Sequence, residues 1–168
     1  DYLTKFTFQK FVEDIETSIK IFKNKLGYNP IYFSYPFGEY NLEQKNYISN
    51  NFEFAFGQHS GVIDLNKDRY ELPRFPINEK YGEIKRFKEV ISYLPLQYKI
   101  IKPENKFMND GENPPKMTIE FFKDQKNLEN INCFSNEGSK WRKTKIVLVD
   151  NILTVSYTHL RAHETRRY

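Results

Sequence analysis

Phe8, Phe11, Val12, Ile15, Ile19, Phe22 and Leu26 recur at intervals of three and four residues, and this stripe constrains the chain more than any other feature. Such spacing places all seven side chains on one face of an α-helix, which must be buried against something. Thr7 offers an N-cap and Gly27 a C-terminal stop, so the pattern predicts a helix from about Phe8 to Leu26. IYFSY (Ile31 to Tyr35) follows as a short buried strand ended by Pro36. A second helix is expected to begin after Asn41, with Gln44 at capping-box spacing, and to run to about Asn50. FEFAFGQ (Phe52 to Gln58) reads as the next strand. Beyond a looser stretch holding Gly61, Pro73 and Pro76, the apolar face Ile84, Phe87, Ile91 and Leu94 predicts a third helix ended by Pro95. Helix, strand, helix, strand in this rhythm implies parallel strands covered by helices.

The character changes after Pro103. ENKFMNDGENPPK reads as a polar linker over 103–116, and beyond it come only short β-type runs: MTIEFF, NINCF, KIVLV and ILT. The expectation is an α/β unit over 1–102 and a β-rich segment over 117–154. A length of 168 residues suits one compact domain or pieces of two. Hydrophobic content of 39% with 17% aromatics is that of a folded chain, and no apolar run approaches the length that crosses a bilayer. One cysteine, Cys133, excludes an internal disulfide framework and a cysteine-based zinc site.

VSYTHLRAHETRRY (Val155 to Tyr168) breaks with everything before it and resembles the translated read-through of a transposon-type sequencing adapter. Set aside on that ground, it removes His159 and His163 as candidate ligands. Its three arginines and one glutamate add two to the formal charge, so +4 becomes +2. A nearly balanced charge weakens a nucleic-acid reading, and no nucleic-acid partner is expected.

FSYPFGEYN (Phe33 to Asn41) carries the chemistry. In a parallel α/β sheet, ligand-binding groups come from loops leaving the C-terminal ends of strands, and Tyr35-Pro36-Phe37-Gly38 lies at such a point. Pro36 fixes one backbone angle and Gly38 tolerates positive φ, so the peptide N–H of Phe37 can be aimed. The helix opening after Asn41 adds a partial positive field. An N–H held in this way suits a developing oxyanion. Pro and Gly also punctuate ordinary turns, and turn chemistry alone leaves a purely structural turn standing beside the functional one.

Three ordered blocks, FSYPFGEYN, FEFAFGQHSGVI and LPRFPINE (Leu72 to Glu79), resemble the polysaccharide deacetylases of the NodB-homology type over roughly Phe8 to Glu79. NINCFSNEGSKWRKTKI resembles, more loosely, the β-rich accessory segment that follows in one branch of that family. The resemblance implies the C-terminal half of a distorted (β/α) barrel followed by a truncated all-β segment. It implies removal of N-acetyl groups from an N-acetylated polysaccharide of the cell envelope or an exported glycan, in the periplasm or outside the cell. It also implies a divalent metal, commonly zinc, held by one Asp and two His, with a further Asp as general base on the metal-bound water. The family's Asp pair and His-x-x-x-His motif are not found in this sequence, so this chain is expected to carry neither metal ligands nor base and to be inactive as it stands.

What the resemblance carries onto this sequence is the motif whose backbone N–H, at Phe37, helps hold the oxyanion, with Pro36 and Gly38 shaping the turn. The chain departs from the family in having Ser34 in place of Arg and Phe37 in place of Tyr; Arg74 is the guanidinium of the neighbouring loop. His59 is a further catalytic candidate, and Tyr35, Glu39, Tyr40 and Arg74 are candidate substrate contacts. Each has a bland counterpart: His59 as a polar loop residue, Glu39 as a solvated charge, Tyr35 as core or cleft wall. Trp141 in SKWRKTK has an indole face able to stack on sugars or bases. A non-catalytic glycan-binding envelope protein on the same fold is the competing reading.

Overall fold

A computed structural model describes residues 7–105, 116–137 and 140–155. The adapter-like tail from 156 onward, with His159 and His163, and residues 106–115 of the expected linker lie outside them. The chain divides into two compact units, Asp1–Leu96 and Gln97–Tyr168.

In the first unit α1 spans Phe8–Leu26, within the bounds its apolar stripe predicts. The Thr7 side chain accepts from the Lys10 N–H, and Gly27, at φ 82°, donates its own N–H to Lys23 O. Strands β1 (Tyr32–Ser34) and β2 (Phe54–Phe56) run parallel, with Phe33 opposite Ala55. Alternation sends Phe33 and Ala55 to one face and Tyr32, Ser34, Phe54 and Phe56 to the other. Helix α2 (Leu42–Asn51) joins the strands, and its capping box forms as expected: Asn41 Oδ1 accepts from Gln44 N, and Gln44 Oε1 accepts from Asn41 N. Phe11 and Ile15 of α1, Ile48 of α2, Phe52 and Ala55 bury together with Tyr35 and Tyr40. Each Phe or Ile side chain among them contributes about 1.5–3 kcal/mol when fully buried. The second face is open: Tyr32 is 60% exposed, with its ring 5.8 Å from that of Phe54.

The stretch expected to be loose extends this sheet. Leu72 forms a parallel bridge with Phe56. Its N–H donates to Ala55 O at 2.9 Å, and the Gly57 N–H donates to Leu72 O at 3.0 Å. The described residues of this unit therefore make an open parallel sheet of two strands and one bridged edge rather than a barrel. Helix α3 covers Ile84–Val90 and stops short of Pro95. Its C-terminal carbonyls are taken locally, with Ser92 Oγ donating to Glu89 O at 2.7 Å. The apolar face predicted for it, Ile84, Phe87, Ile91 and Leu94, is exposed.

The second unit is antiparallel throughout. Strands β3 (Ile100–Lys102), β4 (Met117–Glu120), β7 (Ile146–Val149) and β8 (Ile152–Val155) form one sheet in the order β3-β4-β8-β7. β5 (Cys133–Glu137) and β6 (Lys140–Thr144) form a separate two-stranded ribbon. Ile119, Phe121, Leu128, Leu153 and Val155 make the core. Two expected boundaries move. β3 pairs with β4 and so belongs to this unit, which places the division after Leu96 instead of Lys102. Val155, assigned with the tail in sequence, is the last residue of β8, opposite Met117 and Ile146 and only 2% exposed. Among the described residues no helix is long and apolar enough to cross a membrane.

Candidate functional site

Three loops meet at the C-terminal ends of the parallel strands. The first is the turn Pro36–Gly38 after β1, a single 3-10 turn in which Gly38 N–H donates to Tyr35 O and Glu39 N–H to Pro36 O. The second, Gly57 to Gly61, leaves β2. The third is the bridged edge from Leu72 to Arg74. They touch closely. A Cβ on Gly38 would lie 2.8 Å from both the backbone N and the Cβ of Gln58, and one on Gly61 would lie 3.0 Å from Pro73 Cβ. The Arg74 N–H donates to His59 O at 3.0 Å, tying the third loop to the second.

Phe37 is the unusual residue of this rim. The sequence offers Gly38 for the left-handed conformation, and Gly38 has it at φ 72°, but Phe37 has it too at φ 57°, ψ 7°. A bulky side chain pays about 1–3 kcal/mol for that conformation, and such residues cluster at functional positions. The ring gains little burial in return, since it is 73% exposed. The Phe37 N–H has no hydrogen-bond partner among the described residues, while the amides of Gly38 and Glu39, the next two in the chain, are both taken. Nothing in the sequence marks Phe37 for this conformation. It follows from fitting Pro36, the Gly38–Gln58 contact and the Asn41 cap into six residues.

Arg74 reaches across to β1: its Nη1 donates to Ser34 Oγ at 3.3 Å, and both side chains are exposed. His59 is exposed on the second loop, its ring over Gly57, where a Cβ would lie 2.8 Å from Nδ1. Glu39 is half-buried. Ser34, Phe37, His59 and Arg74 thus share one rim.

Tyr35 and Tyr40 do not join them, and as sugar contacts they are corrected. Tyr35 is 1% and Tyr40 8% exposed. Their rings stack with centroids 4.3 Å apart, inside the core. Tyr35 OH donates to Tyr70 O at 3.0 Å, and Tyr40 OH to Glu71 Oε2 at 2.9 Å. Burial, reinforced by Asp68 and Glu71 for Tyr35 and chiefly by Glu71 for Tyr40, pushes both phenols well above the ordinary tyrosine range. They are held as neutral donors.

The pair belongs to a network that the sequence did not disclose. Lys45 of α2 is 8% exposed, and its Nζ lies 2.7 Å from Asp68 Oδ2 and 3.5 Å from Glu71 Oε2. Burial lowers the Lys45 ammonium, but the hydrogen bond to Asp68 and the charges of Glu71 and Asp68 outweigh it and leave it raised. The network fastens residues 68–71 to α2, directly before the edge that carries Arg74. No periodicity links a lysine on a helix to two acids more than twenty residues later, so only the fold reveals it.

Among the described residues no three of His, Cys, Asp and Glu stand together as a metal would need. His59 is the only histidine among them. The residues present do not fit the metal centre that the resemblance implies, and no chemical step here is assigned to one. The rim's donors are a peptide N–H and a guanidinium, groups that can meet a carbonyl or anionic oxygen. No family model, no curated protein and no solved structure matches the chain.

Proposed function

We propose that the first unit is part of a carbohydrate N-deacetylase of the NodB-homology type, contributing the C-terminal side of a distorted (β/α) barrel. In this reading the Phe37 N–H holds the oxygen of an N-acetyl group as the amide carbonyl becomes tetrahedral. A preorganised donor of this kind is worth about 2.7–4 kcal/mol of barrier. Arg74, on Ser34, faces the same rim and favours the same negative charge. The metal ligands and base that the resemblance implies are not among the residues of this rim, and the glycan is of the cell envelope or exported. The observation that carries the reading is the unpartnered N–H of Phe37, held by a strained turn at the C-terminal end of a parallel strand.

The test is a titration of the 15N-labelled chain with an N-acetylated oligosaccharide and, separately, with acetate, whose carboxylate offers the oxygen that the rim would hold. The reading expects the Phe37 amide resonance to move in both titrations, together with those of Ser34 and Arg74. A response to the oligosaccharide without any at Phe37 would favour the non-catalytic glycan-binding alternative. A rim silent in both titrations sinks the proposal.

A further inference from the structure

The β5–β6 ribbon is built inside out. In its register Phe134 lies opposite Lys143 and Asn136 opposite Trp141. Directly paired residues share a face, and alternate residues on one strand share it too. Phe134, Asn136, Trp141 and Lys143 therefore form one face, and all four are exposed, Trp141 by 70% and Phe134 by 55%. The other face carries Cys133, which packs against the core of the unit, and Thr144, whose Oγ1 is buried. A ribbon shaped by burial alone would turn its two aromatic rings inward and its cysteine and threonine outward. Here the large rings stand in water on a two-stranded support.

Charge narrows the partner. On this face Lys143 stands with no carboxylate among the paired residues, whereas Lys140, Arg142 and Glu137 fall on the opposite face by the same register. Lys143 is exposed and has no ion pair among the described residues. Phe134 and Trp141 are diagonal neighbours, a spacing that long and aromatic side chains can span together. Asn136, directly opposite Trp141, offers both donors and an acceptor, the combination that meets vicinal hydroxyl groups. Apolar ring faces stack on the C–H faces of sugars, the amide reads hydroxyls, and the unpaired Lys143 ammonium beside them attracts a carboxylate or sulfate group.

We propose that this outward face is a docking platform for an anionic polysaccharide chain. The choice of a glycan over another polyanion rests on the proposed function of the first unit, but the platform is read out at a different residue. Trp141 is the single tryptophan of the chain, so intrinsic fluorescence reports this face alone, whereas the rim is reported by the Phe37 amide.

The experiment titrates the full chain with oligogalacturonate and follows Trp141 emission. Saturable quenching or a blue shift, weakening as salt is added, is expected. Phe134→Ala should weaken binding about fivefold, the scale of one aromatic contact, and Lys143→Ala about threefold, the scale of one exposed charge contact. Both positions are exposed, so far-UV circular dichroism should be unchanged in either variant. Gly38→Ala, in the first unit, should leave this binding as it is. A neutral chitooligosaccharide bound as tightly overturns the charge assignment. A single-stranded oligothymidylate bound more tightly than the glycan overturns the choice of partner. No change in Trp141 emission with oligogalacturonate, or binding indifferent to both variants, overturns the platform itself.

Discussion

Gly38→Ala probes the contact on which the rim depends, and Gly27→Ala is its matched control. Both glycines have positive φ, 72° and 82°. At both, alanine meets the same conformational penalty of about 1–2 kcal/mol for the left-handed region, offset by about 0.4–1 kcal/mol because alanine restricts the unfolded chain. The surroundings differ. Nothing lies within 4 Å of a Cβ on Gly27, whereas one on Gly38 falls 2.8 Å from Gln58 N and Gln58 Cβ. The first of these is backbone, which cannot swing aside, and forced overlap in a packed site adds about 1–3 kcal/mol. Gly27→Ala should therefore cost about 0.5–1 kcal/mol and Gly38→Ala about 2–3 kcal/mol. Urea unfolding of each variant, followed by tyrosine signals of the first unit and compared at equal m-value, measures the difference. Equal costs would show that the turn after β1 does not rest on the loop after β2, and the convergence of loops would be wrong.

Three further outcomes follow from the same structure. Lys45→Met leaves Asp68 and Glu71 without their cation; because those carboxylates are partly exposed, the loss should be about 2 kcal/mol, below the 3–5 kcal/mol of a fully buried pair, and a variant as stable as the parent in urea would remove the clamp from the account. Tyr35, Tyr40 and Lys45 all keep their protons more tightly when folded than their ordinary values of 10.0 and 10.5. Their contribution is thus fully present below about pH 10 and lost as pH rises further. Tyrosinate absorbance should show these two phenols ionising only together with unfolding, and their ionisation in the folded chain would contradict the burial assigned to them. Finally, the chain given zinc should release no acetate from an N-acetylated oligosaccharide, and zinc-dependent release that chelation abolishes would refute the division of labour proposed here.

The local signals read well from sequence where one interaction decides the outcome. The stripe from Phe8 to Leu26 with Thr7 and Gly27 at its ends set α1, and Asn41 with Gln44 set the start of α2. The parallel pairing of IYFSY with FEFAFGQ followed from the helix between them. Reading failed where distant chain supplies the reason. Residues 69–74 look like loop because Pro73 and several charges interrupt them, yet the free edge of β2 recruits them. Ile100–Lys102 looks like the end of the α/β unit until β4 pairs with it. KWRKT reads equally well as an exposed strand, and it is one: its first four residues are exposed, so both faces carry charge or rings into water. At the rim, the loop and its donor were legible from Pro36 and Gly38. The placing of Arg74 on Ser34 and the burial of Tyr35 and Tyr40 were not, since each depends on Asp68 to Leu72 lying against α2 and β2.

Amide hydrogen exchange at Phe37 tests the central claim most directly. The account predicts that this amide exchanges severalfold faster than those of Gly38 and Glu39, which are bonded to Tyr35 O and Pro36 O, and that it slows when an N-acetylated oligosaccharide is added. A Phe37 amide as protected as those of Gly38 and Glu39 in the free chain, and unchanged by the sugar, would mean that the donor is already spent inside the protein and has nothing to offer a substrate.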